Sequence, residues 1–164
     1  MFFGKNKGWN MPDKKYYAHS LKDKPKSEWQ TLEGHLKNVA ELARQFTESF
    51  NAGELGYLAG LLHDVGKYQP EFQRYLVEGG KRGSVPHAVW GAGYARILGM
   101  NEIPFAIDGH HKGLPNKSDL KKKIQKNSKG KMWLNLIQLL SLLSKIPLFL
   151  KIILNLCHYH IQTH

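Results

Sequence analysis

Cysteine is nearly absent from this chain of 164 residues, with Cys157 as the single example. One thiol excludes an intramolecular disulfide framework and a cysteine-based zinc site. The first residues lack the apolar run of a signal peptide, which predicts a reducing, cytoplasmic setting. The uncharged apolar stretch 132–144 is shorter than the roughly 18–20 residues that cross a bilayer. We therefore expect no membrane partner.

Acidic residues are absent after Asp119, so positive and negative charges are distributed unevenly along the chain. Lys and Arg number 24 against 13 Asp and Glu, a net charge of +11. Residues 27–111 carry −3, whereas residues 1–26 carry +5 and residues 112–131 carry +7. The basic flanks predict contacts with the phosphates of a nucleic-acid strand, with a solvated helix face as the alternative. We assign these contacts to Lys112, Lys117, Lys121, Lys122 and Lys123.

Long stretches of alternating apolar and polar residues are also missing, whereas helical spacing is common. Ser27 and Gln30 suggest a capping box for a first helix, whose apolar face runs from Leu32 to Phe50. Gly66 is the expected cap of a second helix. Further helices are predicted from Pro70, over 86–97, over 104–111, from Ser118 and over 132–144. The sequence therefore predicts an all-α bundle of about five to seven helices.

Charge and hydropathy divide the chain into three parts. Residues 1–15 form a basic N-terminus that we expect to be mobile. Residues 16–144 form one helical domain, which includes a basic loop and helix over 112–131. Residues 145–164 fit poorly as the outer layer of a soluble protein, so we expect a disordered tail or a truncated or altered C-terminus.

Histidine is concentrated in the central block, where five of these residues and one aspartate hold informative positions. His35 shares the apolar face of the first helix, His63-Asp64 ends the second, His87 begins the fourth and His110-His111 ends the fifth. A single such histidine is more often a hydrogen-bonded core residue. Several imidazoles buried together without a metal leave many ring nitrogens that need partners, which is costly. The set therefore predicts a centre for divalent metal ions.

The ligand count exceeds what one tetrahedral ion needs, so two ions are expected. His63 and Asp64 project about 100° apart on a helix, and the carboxylate can therefore bridge neighbouring ions. Two close ions beside a basic surface predict phosphoester hydrolysis. Lys67 follows the pair by one helical turn and could offset charge on the reacting phosphate. The alternative is an exposed lysine at a helix end.

Four motifs follow one another along the chain, in addition to His35 within LEGHL at 32–36. They are YAHS at 17–20, GLLHDVGKY at 60–68, PHAVWGA at 86–92 and GHHKGLP at 109–115. Together they resemble the HD phosphohydrolase superfamily, and more narrowly the HD nuclease of type I CRISPR interference. That nuclease occurs fused to a superfamily-2 helicase or as a separate polypeptide. The resemblance covers about residues 16–116.

This resemblance implies a helical fold, two divalent transition-metal ions and metal-dependent cutting of single-stranded DNA. It also implies two partners: a superfamily-2 helicase, in trans or as a missing fusion, and an RNA-guided CRISPR surveillance complex. Lys67 would lie beside the scissile phosphate, and the ions would be Mn²⁺, Co²⁺, Ni²⁺, Fe²⁺ or Zn²⁺, or else Mg²⁺. By motif, the first ion would bind His35, His63 and Asp64, and the second would bind Asp64, His87, His110 and His111.

The chain departs from the family pattern at one metal ligand. The family completes the first metal position with an Asp on a later helix, and no acidic residue follows Asp119 here. We therefore predict low occupancy of the first position and impaired nuclease activity, unless Asp108 compensates. His19 belongs to the resembling motifs, but we do not expect it to be a ligand.

Two other functions stay open. One is a nucleotide phosphohydrolase of the HD superfamily that acts on a small nucleotide. The other is a non-catalytic, basic nucleic-acid-binding module in which the histidines are structural. The basic flanks favour a polymeric substrate over a small nucleotide, which needs only a pocket. The chain also lacks a G-x-x-x-x-G-K-[ST] motif, so a strand-separating motor of that type must belong to another polypeptide.

Overall fold

The computed structural model describes residues 15–128, and this part is mostly helical. A two-stranded antiparallel sheet, β1 (Tyr17–His19) with β2 (Gln30–Thr31), precedes the helices. Short 3₁₀ turns cover Lys26–Glu28 and Val65–Tyr68. The α-helices are α1 (Leu32–Glu48), α2 (Gly53–Leu62), α3 (Pro70–Glu78), α4 (Ala88–Ile97), α5 (Ile103–Gly109) and α6 (Lys117–Ser128).

The predicted all-α bundle is therefore confirmed, and the small sheet is an addition to it. Our predictions for 1–14 and 129–164, including the helix over 132–144, lie outside the described residues. None of the helices within residues 15–128 combines the length and the apolar character that a membrane crossing requires.

The start of α1 differs from the predicted capping box. Ser27 lies in a 3₁₀ turn and Gln30 lies in β2, so that prediction is wrong. Thr31 caps the helix instead, because its Oγ1 accepts a hydrogen bond from the Gly34 amide at 3.3 Å. Pairing of Thr31 with Tyr17 in the sheet fits the extended backbone that an N-cap residue needs.

Two other predicted caps are also replaced. Gly66 lies inside the second 3₁₀ turn, and α2 already ends at Leu62. At the start of α6, Asn116 Oδ1 accepts hydrogen bonds from the Asp119 amide and from Ser118 Oγ, each at 2.8 Å. Ser118 therefore supports the capping residue without being the cap itself.

One hydrophobic core connects the helices, with α1 packed on α2 and with α4 packed on α5 and α6. Leu36 of α1 and Leu62 of α2 are completely buried in it. The apolar face predicted for α1 is buried only over its first half, because Phe46 and Phe50 are 75% and 76% exposed. The buried end of α2 leads directly into the residues described next.

Candidate metal centre

Five histidines and one aspartate come together from four parts of the fold. His35 projects from α1, His63-Asp64 follows the end of α2, His87 precedes α4 and His110-His111 follows α5. Their ligand atoms form two groups of possible metal donors, and each group spans less than 4.8 Å. We call this set the His–Asp cluster. It contains every metal ligand that the sequence predicts.

Asp64 lies at the centre of the cluster and is 3% exposed. Its Oδ2 atom is 3.1 Å from Nε2 of His35 and 3.2 Å from Nε2 of His63. Its Oδ1 atom is 3.2 Å from Nε2 of His87 and 3.6 Å from Nε2 of His110. Each carboxylate oxygen therefore faces a different pair of imidazoles.

The spacing of the nitrogens fits shared ligation of a metal ion. Nε2 of His35 lies 3.2 Å from Nε2 of His63, and Nε2 of His87 lies 2.8 Å from Nε2 of His111. Two nitrogens bound to one ion at about 2.0–2.1 Å would be about 3 Å apart. Within residues 15–128, buried Asp64 Oδ1 accepts no well-aligned hydrogen bond, so its lone pairs suit a cation.

Backbone carbonyls orient two of the rings. Nδ1 of His63 donates to the carbonyl oxygen of Gly60, and Nδ1 of His110 donates to that of Ile107 at 2.6 Å. These bonds fix the orientation of the two rings and direct each Nε2 atom at Asp64. A second hydrogen bond of this kind is usual for histidines that bind metals.

The electrostatics of the cluster keep Asp64 ionised. Burial alone would raise the pKa of Asp64, because a buried carboxylate loses its hydration. The opposing contacts with imidazole rings prevail and hold the pKa of this carboxyl below its usual range. They come from His110, His35, His63 and His87.

His110 and His111 differ in the direction of their pKa shifts. Burial alone would lower the pKa of His110, but its contact with the Asp64 carboxylate and its hydrogen bond to the Ile107 carbonyl raise it overall. Burial, followed by repulsion from His110 and His87, lowers the pKa of His111 to about 4. His111 is therefore a neutral donor at physiological pH.

Lys67 is buried beside the His–Asp cluster. It is 4% exposed, so it is not the exposed lysine of the alternative interpretation. Its Nζ atom donates to Asp64 Oδ2 at 2.7 Å and to the Ala18 carbonyl at 3.2 Å. The ammonium group therefore shares Oδ2 with His35 and His63.

Comparison with protein families agrees with this geometry. The model of the HD domain matches residues 32–160, which is more than half of the chain. The chain belongs to the HD domain family. Comparison with curated proteins gives no match. An HD domain indicates a metal-dependent phosphohydrolase, and the His–Asp cluster can hold the divalent metal that such an enzyme uses.

Close backbone packing positions the cluster of this HD domain. Gly66 lies against the backbone of His87, so that a Cβ atom on Gly66 would overlap the His87 carbonyl and approach His87 Cα to 2.7 Å. Only glycine allows this approach without a backbone shift. The contact holds the turn that carries Asp64 and Lys67 beside the start of α4.

Two glutamines that the sequence patterns did not single out connect the same segments. Gln69 Nε2 donates to the carbonyls of Gly66 and Pro86, and Gln73 binds both backbone polar groups of Tyr17. Gln73 also donates to the Lys67 carbonyl at 2.8 Å. Glutamine side chains usually face solvent, so only the position of these two residues soon after His63-Asp64 could have indicated this role.

The other predicted residues lie outside the cluster. Asp108 Oδ2 bonds to Lys123 Nζ at 2.6 Å, so Asp108 does not supply the ligand that the family pattern adds. Lys123, predicted to bind nucleic acid, joins α6 to α5 through this ion pair. His19 packs edge-on against His35, with ring centroids 5.1 Å apart. The remaining predicted phosphate contacts are exposed, namely Lys112, Lys117, Lys121 and Lys122.

Proposed function

We propose that this HD domain is a metal-dependent phosphodiesterase that cuts single-stranded DNA in type I CRISPR interference. The supporting observation is the division of Asp64 between two imidazole groups, with Oδ2 facing His35 and His63 and Oδ1 facing His87 and His110. Two bound divalent ions would supply an activated water and stabilise the charge on the phosphate. The basic residues around 112–131 favour a polymeric anion as substrate.

Lys67 has a defined place in this proposal. Its ammonium group is fixed beside Asp64 and also lines a cavity that His87 borders. A phosphodiester entering from that cavity meets a positive charge that needs no rearrangement. Such a fixed charge stabilises the additional negative charge of the phosphate during hydrolysis.

The two metal positions are proposed to differ in affinity. Within residues 15–128, Asp64 is joined by three imidazoles in the group on its Oδ1 side and by two in the group on its Oδ2 side. Lys67 also donates to Oδ2, and its positive charge opposes a cation on that oxygen. The Oδ2 position therefore binds its ion more weakly, and nuclease activity is reduced at low metal concentration.

The proposed partners follow from the proposed substrate. A single strand must be exposed and delivered to the cluster before it can be cut. We propose a superfamily-2 helicase, in trans or fused to this domain, as the source of the strand. An RNA-guided CRISPR surveillance complex would select the DNA.

Hydrolysis of a small nucleotide is the second candidate function. It is favoured by the cavity of about 330 Å³ next to Lys67 and His87, which has the size of a small-molecule pocket. The exposed lysines of α6 have no role in that reaction.

A cleavage assay separates these functions. Circular single-stranded DNA and a panel of nucleotides are incubated with the protein and Mn²⁺, Co²⁺ or Ni²⁺. We expect the circle to be cut, and we expect Asp64→Asn to reduce cutting by at least about a hundredfold while DNA binding persists. Asp23→Asn is the matched control, because Asp23 is exposed and lies outside the cluster.

Two results would contradict the nuclease proposal. Hydrolysis of nucleotides with an intact circle would support the small-nucleotide enzyme. DNA binding without any hydrolysis, unchanged in Asp64→Asn, would support the non-catalytic module.

A further inference from the structure

A cavity of about 330 Å³ opens next to the His–Asp cluster. His19, Lys67 and His87 form the wall that it shares with the cluster. The other wall comes from α3 and the loop over 79–85. Ligand pockets usually span about 300–1,000 Å³, so this cavity suits one small unit and not a folded partner.

Aromatic rings extend from the cluster into this cavity. The Phe72 ring lies 5.1 Å from the His87 ring and 5.8 Å from the Tyr75 ring, measured between centroids. Phe72 is buried, whereas Tyr75 is partly exposed and lines the cavity. A flat group in the cavity would therefore lie near Tyr75 and His87, whose rings are bridged by the Phe72 ring.

The loop over 79–85, which lines the same cavity, is shaped by glycine. Gly79 and Gly83 have φ values of 78° and 79°, which side chains other than glycine rarely adopt. A Cβ atom on either residue would meet nothing within 4 Å. Glycine is therefore required by the backbone, and it leaves open space at the wall. Between these glycines, exposed Arg82 also lines the cavity.

We propose that this cavity binds the nucleotide next to the scissile phosphodiester. Tyr75 stacks on its base, and the guanidinium of Arg82 binds a phosphate of the strand. The inference rests on the proposed nuclease function, because the reacting phosphate must lie at Lys67 and the cluster. Stacking on an aromatic ring tolerates any base, so the site predicts binding without sequence preference.

The test measures DNA binding in the presence of EDTA, so that it does not depend on turnover. Fluorescence anisotropy compares a twelve-nucleotide thymidine strand with a strand of twelve abasic units. The variants are Tyr75→Ala, Tyr75→Phe and Arg82→Gln. Arg96→Gln is the control, because Arg96 is an exposed arginine of α4 that does not line the cavity. Circular dichroism verifies the fold of each variant.

The unchanged protein is expected to bind the thymidine strand about tenfold more tightly than the abasic strand. Tyr75→Ala removes most of this preference and leaves binding of the abasic strand unchanged, whereas Tyr75→Phe retains it. Arg82→Gln weakens binding of both strands, and the slope of log affinity against log salt falls by about 0.7. Arg96→Gln changes neither quantity.

The results separate the cavity from the nuclease function. A preference for bases that persists in Tyr75→Ala overturns the inference, even if the protein cuts DNA. Equal losses on both strands in Tyr75→Ala also overturn it. If DNA is not cut but thymidine monophosphate binds and depends on Tyr75 and Arg82, the cavity assignment stands and the nuclease proposal fails.

Discussion

At the scale of single residues, Asp64 shows how one carboxylate serves two groups of donors. Its backbone follows directly after α2, and its buried side chain has imidazoles on both oxygens. Lys67 lies one turn further and neutralises part of this charge at Oδ2. Without a metal ion, this single cation and the ring N–H groups are the charges and dipoles that stabilise the buried carboxylate within the described residues.

The first prediction concerns competition between Lys67 and a metal ion. Lys67→Met keeps the length of the side chain and removes its charge from Oδ2. We expect divalent metal affinity at the weaker position to rise by about tenfold, because a nearby cation is removed. Phosphodiester hydrolysis should fall by about 10²–10³ because the phosphate loses its charge partner. Calorimetric titration with Mn²⁺ measures the affinity.

Lys37→Met is the control for this experiment, because Lys37 is exposed and pairs with Glu33 on the surface of α1. A decrease of metal affinity in Lys67→Met would contradict the prediction. It would indicate that Lys67 mainly holds Asp64 in place.

The second prediction concerns pH. His110 has a raised pKa and keeps its proton to higher pH, so a metal ion must displace that proton. Metal affinity should therefore decrease by about tenfold per pH unit as the pH falls below the pKa of His110. The pKa of His111 is about 4, so His111 is neutral over this range and releases no proton.

Metal titrations between pH 5.5 and 8 test this assignment. His110→Gln should lower the affinity and reduce the pH slope by about one proton. His111→Gln should lower the affinity by a similar factor at every pH and leave the slope unchanged. Equal slopes in the two variants would refute the assignment.

At the scale of secondary-structure elements, most residues of the His–Asp cluster lie at helix ends. His63-Asp64 follows α2, His87 precedes α4 and His110-His111 follows α5, whereas His35 lies within α1. Residues at the ends of several helices can approach a common point while the rest of each helix packs elsewhere. Tight packing of the intervening turns therefore determines whether the ligands meet.

The third prediction tests this packing at Gly66. In Gly66→Ala, the added carbon overlaps the backbone of His87, which cannot rotate away as a side chain could. We expect a loss of about 1–3 kcal/mol in the free energy of unfolding, together with weaker metal binding. Denaturant unfolding and metal titration measure the two effects.

Gly53→Ala provides the comparison, since its added carbon meets the side chains of Glu48 and Arg44 near the start of α2. Those side chains can move, so metal affinity should stay unchanged. Normal metal binding in Gly66→Ala would show that the close approach to His87 is not needed to form the site.

At the scale of the whole molecule, the predicted DNA-binding segment 112–131 is basic, whereas the part of the chain that carries the His–Asp cluster is slightly acidic. The segment 112–131 has a net charge of +7, whereas 27–111 has −3. Long-range attraction of this kind brings a polyanion to the protein but does not select its sequence. The cluster then determines the chemistry.

The fourth prediction is a change in salt dependence. Replacing Lys112, Lys117, Lys121 and Lys122 with Gln should weaken binding of single-stranded DNA. The slope of log affinity against log salt should decrease by about 0.7 for each DNA phosphate that the variant no longer neutralises. Lys123 is left unchanged in this variant because its ion pair with Asp108 joins α5 and α6.

A double variant, Lys24→Gln with Lys37→Gln, controls for total charge, since both lysines pair with glutamates on the surface. Per lysine removed, it should show a smaller change of slope than the variant with four replaced lysines. Equal changes per lysine would mean that net charge alone, and not this surface, attracts the DNA.

The sequence by itself determined the helical class and singled out the six side chains that the structure brings together in the His–Asp cluster. Both follow from local features, because helical periodicity and the positions of histidine relative to apolar residues can be recognised over a few turns. It also placed proline in the first turns of α3 and α5 correctly. The caps at Ser27, Gly66 and Ser118 were wrong, because a short sheet, a 3₁₀ turn and the Asn116 side chain compete for the same backbone groups.

Only the tertiary structure decided how these groups interact. It separated the two oxygens of Asp64, buried Lys67 beside Oδ2 and directed Asp108 toward Lys123. These arrangements depend on contacts between segments distant in sequence, such as Gly66 with His87 and Gln73 with Tyr17. Side-chain direction at a helix end follows from such packing, and local residue preferences do not encode it.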